Sequence, residues 1–341
     1  MRDRLAEFLN QPLTVGNRTI SGRLVLAPMT HLGNIAMREL LASFGGFGLL
    51  FSEMCSARRI PHENREASDL FRWRDQELPH LVCQIVGFDP ATMARAARTV
   101  QEAGFFGVDL NFGCSVAAIC SRSCGAALLK QPSLAAAIVK AVRRSVSIPV
   151  FVKFRTGWQD SPLAAVDLAR RFEAAGADAL TFHPRVAPDR RSRPPRWEYI
   201  GLVKQAVSIP VFGNGNVFSR ADCITMLSLT GCDGIALGRM AVARPWVFSE
   251  WANGLSVGPN IYGSTALRLT DLLPLYFDDV RAVRRFKKFA LYFAANFRFG
   301  HTLYTRIFNA SDMEAIRSIL RSFFQTPPDL TMRPNMNLFN N

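Results

Sequence analysis

The sequence lacks the segments that would direct a chain into or across a membrane. It has no uninterrupted apolar stretch approaching about 18 residues, and its charged amino terminus, MRDRLAEFLNQPLTV, has no apolar core of the kind found in secretory signal peptides. We therefore expect no secretion and no membrane partner. At 341 residues and 49% hydrophobic content, the chain is able to bury a large core.

Cysteine is present in an odd number and without a recognised ligand spacing. The seven cysteines lie mostly in apolar runs, which favours a reducing compartment over a disulfide framework, and we expect the cytoplasm. The spacing Cys114-x5-Cys120-x3-Cys124 leaves a metal or iron–sulfur site as an alternative. Because no nearby histidine completes that set and the spacing matches no common site, we predict no metal.

Acidic residues are scarce relative to basic ones. The 27 Asp and Glu residues face 41 Lys and Arg residues, which gives a formal net charge of +14. Such an excess attracts polyanions, and nucleic acid is the expected partner; a basic protein without that partner remains an alternative. A basic stripe from Arg284 to Lys288, interleaved with Phe286 and Phe289, fits nucleic-acid binding or an ordinary solvated helix face.

Short apolar runs alternate with amphipathic segments along most of the chain, a pattern typical of βα units and a parallel sheet. The eight strand candidates are residues 23–29, 48–54, 80–87, 107–113, 149–155, 179–185, 210–216 and 234–239. The word VSIPVF occurs twice, and each time its proline, Pro149 or Pro210, marks the entrance of a strand. Eight strands, with no GxGxxG after the first, predict a closed (β/α)8 barrel.

The pattern changes after Trp246. From about Thr265 to Pro327 only helical segments follow, and Ser311 with Glu314 predicts a capping box at the start of the last one. We therefore predict a domain boundary near residue 255, with a barrel over residues 1–255 and a smaller all-helical domain over residues 256–341.

Polar residues cluster where the predicted strands end, and those ends build the active site of such a barrel. A Gly-containing loop after strand 7 and a Gly-Arg pair after strand 8 predict a phosphate site. Lys153 is costly to bury unless it meets an anion or an electron-rich ring, although pairing with Glu53 is an alternative. Cys114, in a Gly-Cys-Ser turn, carries a thiol that is able to donate a proton.

Taken together, the segments LAPMT, SEM, QIVG, VDLNFGCS, VKFRTGW, HPR, GNGNV and LGR resemble the tRNA-dihydrouridine synthase family over essentially the whole chain. The resemblance implies a barrel that holds FMN and a helical domain that helps to bind tRNA. It also implies NADPH-dependent reduction of the C5=C6 bond of a uracil base, with hydride from reduced FMN and a proton from Cys114. The oligomeric state stays open, with a monomer as the default expectation.

The resemblance also assigns roles to individual residues. Cys114 matches the catalytic proton donor. The residues that match the cofactor site are Pro28, Met29, Thr30, Gln84, Lys153, His183, Asn214, Gly215, Asn216, Gly238 and Arg239. The residues that match the substrate side are Asn111, Arg155, Arg185 and Arg38.

Four positions depart from the family pattern. Ser115 stands where the family has Pro, Ala118 where Lys is usual, and Asn34 and Asn216 each where the family has Asp. Loss of the proline is expected to loosen the turn that aims the thiol, because proline fixes φ and serine does not. Two alternatives therefore remain: an FMN-retaining RNA-binding paralogue with impaired catalysis, and an FMN reductase of small molecules.

Overall fold

The computed structural model describes residues 3–187, 189 and 193–335. Its strands are β1 (Leu13–Val15), β2 (Arg18–Ile20), β3 (Leu24–Leu26), β4 (Leu50–Phe51), β5 (Cys55–Ser56), β6 (Leu81–Val86), β7 (Gly107–Phe112), β8 (Val150–Gly157), β9 (Ala179–Val186), β10 (Val211–Asn214) and β11 (Gly234–Leu237). Every one of the eight predicted strand segments overlaps a strand of the parallel sheet.

Its α-helices are α1 (Arg4–Leu9), α2 (Ile35–Phe44), α3 (Pro90–Glu102), α4 (Ala117–Cys120), α5 (Pro132–Ser145), α6 (Pro162–Ala174), α7 (Glu198–Ala206), α8 (Arg220–Thr230), α9 (Arg239–Ala243), α10 (Val247–Asn253), α11 (Asn260–Tyr276), α12 (Asp279–Phe293), α13 (Gly300–Phe308) and α14 (Met313–Phe323). Short 3-10 helices span Ile60–His62, Asp75–His80, Gly125–Lys130 and Ala294–Asn296. Asp89 caps α3 before Pro90, and Ser161 caps α6 before Pro162.

The parallel sheet forms a nearly closed barrel. Its strands follow the order β3-β11-β10-β9-β8-β7-β6-β4, and β5 also pairs with β6. A parallel bridge between Val25 and Leu49 joins β3 to the residues before β4, and the Leu26 N–H donates to the Leu49 carbonyl at 3.0 Å. The predicted (β/α)8 fold is therefore confirmed.

Apolar side chains fill the amino-terminal end of this barrel. Phe151 and Phe212 are fully buried in its core. Glycine makes room for both rings, because a Cβ on Gly107 would lie 2.9 Å from the Phe151 ring and one on Gly234 would lie 2.7 Å from the Phe212 ring. The antiparallel pair β1–β2 adds Val15 to the same core. The carboxyl end of the barrel is thereby left to polar residues.

The contacts within the chain delineate two compact units. The first comprises Met1–Pro28 and Phe47–Leu237, and the second comprises Met29–Gly46 and Gly238–Asn341. Within the second unit, α2 and α11 pack together, and the Tyr276 hydroxyl donates to the Glu39 carboxylate at 2.6 Å. The predicted functional division near residue 255 stays a prediction.

Aromatic rings form the core of the second unit. Phe289 stacks on Phe293 with centroids 5.0 Å apart, and Phe293 meets Phe297 edge-on at 5.5 Å. Phe286 and Phe289 are buried, so these two members of the predicted basic stripe belong to the core and not to an exposed face. The stripe on α12 is therefore basic without being aromatic at its surface.

One predicted helix start is wrong by a residue. Asp312, not Ser311, is the N-cap of α14, and its carboxylate accepts the Ala315 N–H at 2.8 Å. Ser311 instead donates its hydroxyl to the Asp312 carboxylate at 2.7 Å. The two adjacent residues both have capping side chains, and the carboxylate also favours the positive end of the helix dipole.

Candidate active site

Strand pairing brings five of the predicted site residues side by side at the carboxyl end of the barrel. Register places Asn111 of β7 next to Lys153 of β8, and Arg155 of β8 next to His183 of β9. Gln84 of β6 is the neighbour of Asp109, two residues before Asn111. Because side chains alternate along a strand, these residues share the inner face of the barrel.

A chain of side-chain hydrogen bonds links three of these strand residues. The Gln84 amide nitrogen donates to the Asp109 carboxylate at 2.6 Å, and the Asn111 amide nitrogen donates to the Gln84 carbonyl oxygen at 2.8 Å. All three side chains are buried. The backbone of Gln84 is fixed as well, because its N–H donates to the Ser52 hydroxyl at 3.0 Å.

The turn that carries Cys114 is held by the side chains of two neighbouring strands. Asn111 Oδ1 accepts the N–H groups of Gly113 and Cys114 at 3.2 Å and 2.9 Å. Arg155 Nε donates to the Gly113 carbonyl at 2.8 Å, and the Ala126 N–H donates to the Cys114 carbonyl at 2.8 Å. The Cys114 side chain is partly exposed. These bonds fix the turn even though Ser115 replaces the family's proline.

Gly125 closes the same turn from its other side. Its φ is +62°, in the left-handed region that favours glycine, and a Cβ there would lie 2.5 Å from the Cys114 carbonyl oxygen. The Cys120 thiol also contacts that oxygen, at 3.4 Å. Burial raises the pKa of the Cys120 thiol. Ala118, in the short helix α4, is exposed.

Lys153 and Asp109 are the ionisable pair of the inner face. Lys153 keeps some exposed surface, yet the protein around its ammonium group lowers its pKa, first by burial and then by the charge of Arg155. Burial raises the pKa of Asp109, opposed by the Gln84 hydrogen bond and the charge of Lys153. The charge of Asp109 opposes the lowering of the Lys153 pKa, and pairing of Lys153 with Glu53 stays a prediction.

The loop after β10 packs against the end of β9. Gly215 has a φ of +121°, and a Cβ there would lie 2.8 Å from Cδ2 of the His183 ring. The Trp197 indole N–H donates to the Gly215 carbonyl at 2.8 Å. Asn216 also has a left-handed backbone, at φ 56°, and its Oδ1 accepts from Arg185 at 3.4 Å. Asparagine tolerates this conformation better than most residues do.

Asn214 stands at the end of β10 and bonds to the next strand. Its side-chain nitrogen donates to the Ala236 carbonyl of β11 at 2.7 Å. Gly238 and Arg239 follow β11 directly in the chain, and Arg239 opens the five-residue helix α9. Both predicted phosphate segments therefore begin at the carboxyl ends of strands.

Four predicted site residues lie at or beyond the end of the first strand segment. Pro28 is the last residue of the first unit's initial segment, and Met29, Thr30 and Arg38 belong to the second unit. Arg38 is buried and donates to the Gly33 carbonyl at 2.6 Å. Asn34 caps α2 by accepting the Met37 N–H at 3.1 Å, so this departure from the family's Asp preserves the cap.

Asp109, Ser52 and His31 were not assigned roles from the sequence. Asp109 lies two residues before Asn111 on one strand, so period-two alternation places both on the same face and would have found it. His31 lies in the field of Arg284, Arg285 and Lys288. Its pKa is lowered first by partial burial and then by those charges.

The barrel fold agrees with comparisons to known proteins. The family model described as "Dihydrouridine synthase (Dus)" matches residues 25–264. The chain belongs to the dihydrouridine synthase family. This membership confirms the family inferred from the motifs and, with it, the prediction of an oxidoreductase that forms dihydrouridine.

Relatives with assigned names span most of this family member. A protein of Pseudomonas putida named tRNA-dihydrouridine synthase B is 33% identical over 317 residues, which cover 91% of this chain and 94% of the relative. A probable tRNA-dihydrouridine synthase 1 of Synechocystis is 35% identical over 240 residues, or 70% of this chain and 67% of the relative. A solved 2-naphthoyl-CoA reductase is similar in fold, with a TM-score of 0.56 at 14% identity, over 73% of this chain and 52% of its own.

The described residues include neither a cluster suited to a metal ion nor a helix suited to span a membrane. Within residues 3–187, 189 and 193–335, no three His, Cys, Asp or Glu side chains gather as a metal ion would require. Across the same residues, the helices are too short or too polar to cross a bilayer. The seven thiols are free, including the three in the Cys114 loop.

Proposed function

We propose that this family member reduces the C5=C6 bond of uridine in tRNA to dihydrouridine, with FMN as its cofactor and NADPH as the reductant. The observation that carries the proposal is the Cys114 turn. Asn111 fixes its backbone, and Lys153, the neighbour of Asn111 in the sheet, places a cation beside it. The relative of Pseudomonas putida, named tRNA-dihydrouridine synthase B, supports tRNA as the substrate.

The inner face of the barrel suits a flavin ring. Each amide nitrogen of Gln84 and Asn111 has a second N–H that the hydrogen-bond chain leaves for a ligand carbonyl. Lys153 adds a partly exposed cation, which would favour a negatively charged ring. FMN, when bound, supplies the hydride. We assign Gln84, Lys153 and His183 to its ring, together with Pro28, Met29 and Thr30.

The phosphate of the cofactor is assigned to the loops after the last two strands. The left-handed backbones of Gly215 and Asn216 support this assignment. In loops with this conformation, successive backbone N–H groups can point the same way and form an anion-binding concavity. Asn214 and Gly238 complete the loops, and the Arg239 guanidinium is able to pair with the anion.

Cys114 is assigned as the proton donor to C5 of the uracil base. Its S–H group carries the proton that this step needs. The two bonds from Asn111 and the bond from Arg155 orient its turn. We assign Asn111, Arg155, Arg185 and Arg38 to the substrate side. A uridine of folded tRNA must leave its stack to reach this depth.

The second unit is proposed to bind the RNA backbone. The chain carries a net charge of +14, and Arg284 and Lys288 of α12 lie close enough to His31 to lower its pKa. Phosphate contacts of this kind supply affinity without sequence selection. The free thiols agree with a reducing compartment, and we propose the cytoplasm as the site of action.

The proposal is tested by recording the visible spectrum of the purified protein and by assaying dihydrouridine formation in tRNA. We expect a yellow protein whose visible spectrum bleaches with NADPH, and which forms dihydrouridine in unmodified tRNA. A yellow protein without product on any tRNA would favour the impaired paralogue, in which case Ser115→Pro with Ala118→Lys should restore activity. Turnover of small enones but not of RNA would favour the small-molecule reductase.

A further inference from the structure

Asp109 is a fully buried carboxylate for which the proposed reaction provides no role. It lies on β7, and its exposed fraction is 0%. A carboxylate in such a place is costly unless a hydrogen bond or a counter-charge compensates it. Here the Gln84 amide donates to it at 2.6 Å, and Lys153 lies near enough to interact with its charge. This arrangement also determines how the amides of Gln84 and Asn111 are oriented.

The two amides between Asp109 and Cys114 each have a donor end and an acceptor end, and their surroundings fix which way they face. The backbone N–H groups of Gly113 and Cys114 only donate, so Asn111 must turn Oδ1 toward them. Asn111 Nδ2 then donates to Gln84, at 2.8 Å. The Gln84 carbonyl oxygen is therefore occupied by the Asn111 N–H, and the Gln84 amide nitrogen must point toward an acceptor. The Asp109 carboxylate oxygen, which accepts this N–H at 2.6 Å, is the partner that selects this orientation.

Loss of the acceptor would change both the turn and the atoms offered to ligands. If Gln84 Nε2 had no partner, its amide would be free to rotate by half a turn and present its oxygen instead. Asn111 Nδ2 would then have no acceptor on Gln84, so the Asn111 amide could rotate as well. The Gly113 and Cys114 N–H groups would lose Asn111 Oδ1, the oxygen that holds the turn. The spare N–H groups of both amides would no longer be available to a ligand carbonyl.

We propose that Asp109 is a positioning residue, which through the amides of Gln84 and Asn111 fixes the turn that carries Cys114. It does not touch the reacting atoms. The inference rests on the proposed function only for its activity readout, because the hydrogen bonds exist in the protein without substrate.

Asp109 also acts on Lys153 by its charge, and two substitutions separate the two effects. Asp109→Asn removes the charge but keeps an oxygen able to accept from Gln84. Asp109→Leu removes both and keeps the same number and branching of side-chain heavy atoms. Ser52→Ala is the matched control, because Ser52 is buried beside the same site and its hydroxyl bonds only to backbone groups, the Gln84 N–H and the Glu53 carbonyl, outside the chain of side-chain bonds.

The first readout is amide hydrogen exchange, measured by mass spectrometry on the flavin-loaded protein for the peptide that contains Gly113 and Cys114. We expect Asp109→Leu to exchange about fivefold faster there, the effect of losing a hydrogen bond worth about 1 kcal/mol. Asp109→Asn and Ser52→Ala should exchange as the parent does.

The second readout is the rate on tRNA. For Asp109→Leu we expect kcat to fall by about 100-fold with little change in KM, because the thiol is misplaced while the binding surfaces remain. Asp109→Asn should keep most of kcat near pH 6.5. The alkaline limb of its pH profile should move to lower pH, since the charge that sustains protonated Lys153 is gone.

Parent-like exchange in a folded Asp109→Leu protein would overturn the inference, and so would equal acceleration in the Asn and Leu variants. If the Leu variant fails to fold, Gln84→Met removes the next amide in the same series of hydrogen bonds. Faster amide exchange at Gly113 and Cys114 in that variant would support the inference, and parent-like exchange would overturn it. A parent protein that forms no dihydrouridine would count against the proposed function alone, because the exchange result stands without it.

Discussion

At the scale of single residues, the role assigned to Cys114 requires its thiol, which Cys114→Ala removes while the backbone bonds of its turn can remain. Cys114→Ala should therefore keep its flavin spectrum and lose about 100-fold or more of the rate on tRNA, the usual contribution of a general acid. Cys124→Ala is the matched control, because that half-buried thiol of the same loop bonds to the Arg122 carbonyl and has no assigned role. Dihydrouridine formation measured under single turnover, with the spectrum as a check, separates the two.

The charge of Lys153 gives a prediction about pH. Burial and Arg155 lower the pKa of this lysine, so it loses its proton as pH rises through a value below the ordinary pKa of about 10.4. If the cation is required, kcat/KM should fall along that limb. Lys153→Arg should move the limb to higher pH, whatever its absolute rate, because a guanidinium stays protonated.

The control for that profile is Lys204→Arg. Lys204 pairs with Asp233 at 2.7 Å and has no assigned role, so its substitution should leave the limb in place. An unchanged limb in Lys153→Arg would mean that another group controls the alkaline loss of activity.

Sequence patterns located most of the polar inner face because strand ends are easy to recognise. Asn111, Lys153 and Arg155 all follow from period-two alternation within buried strands. What the patterns did not give is the bonding among them. The link from Asp109 through Gln84 to Asn111 spans two strands, and it depends on register, which is set by the packing of the whole sheet.

At the scale of elements, the start of α13 depends on a close backbone approach. A Cβ on Gly300 would lie 1.7 Å from the Ala294 carbonyl oxygen, a backbone atom that moves only if the adjoining helix moves. Gly300→Ala should therefore lower the free energy of unfolding by about 1–3 kcal/mol, as overpacking does. Gly258→Ala meets nothing within 4 Å and should stay within about 0.5 kcal/mol of the parent. Denaturant titration of both variants makes the comparison.

Element types followed from the sequence more reliably than the faces that the elements bury. The alternation of short β-rich runs and capped helices predicts the barrel, since both signals are local. The basic stripe of α12 shows the limit. Phe286 and Phe289 looked available for RNA, but their helical spacing places them in the aromatic core, while Arg285 packs over the Phe277 ring at 4.1 Å.

At the scale of the whole molecule, the chain is not partitioned in sequence order. Residues 29–46 follow the first barrel strand, yet their contacts place them in the same unit as the carboxyl-terminal helices. The bond between Glu39 and Tyr276 joins residues that are 237 positions apart. No local sequence pattern encodes such a pairing, because it forms only when the apolar faces of α2 and α11 pack together in the folded protein.

Because the chain has a net charge of +14, its affinity for tRNA should depend on salt concentration. The slope of log K against log salt concentration indicates which basic side chains contact phosphates. Arg284→Ala with Lys288→Ala removes two basic residues near His31, so the slope of log K against log salt should fall by about 2 if both contact phosphates. Removal of their charge should also raise the pKa of His31, which a proton NMR titration follows.

Lys140→Ala with Arg144→Ala on α5 lowers the net charge equally and is the matched control. If the second unit binds the RNA backbone, the control should change the slope much less, and kcat should be unaffected in both proteins. Equal slopes for the two double variants would mean that tRNA responds to overall charge and not to α12. The RNA-binding role of the second unit would then be wrong, while the assignment of the barrel site would be unaffected.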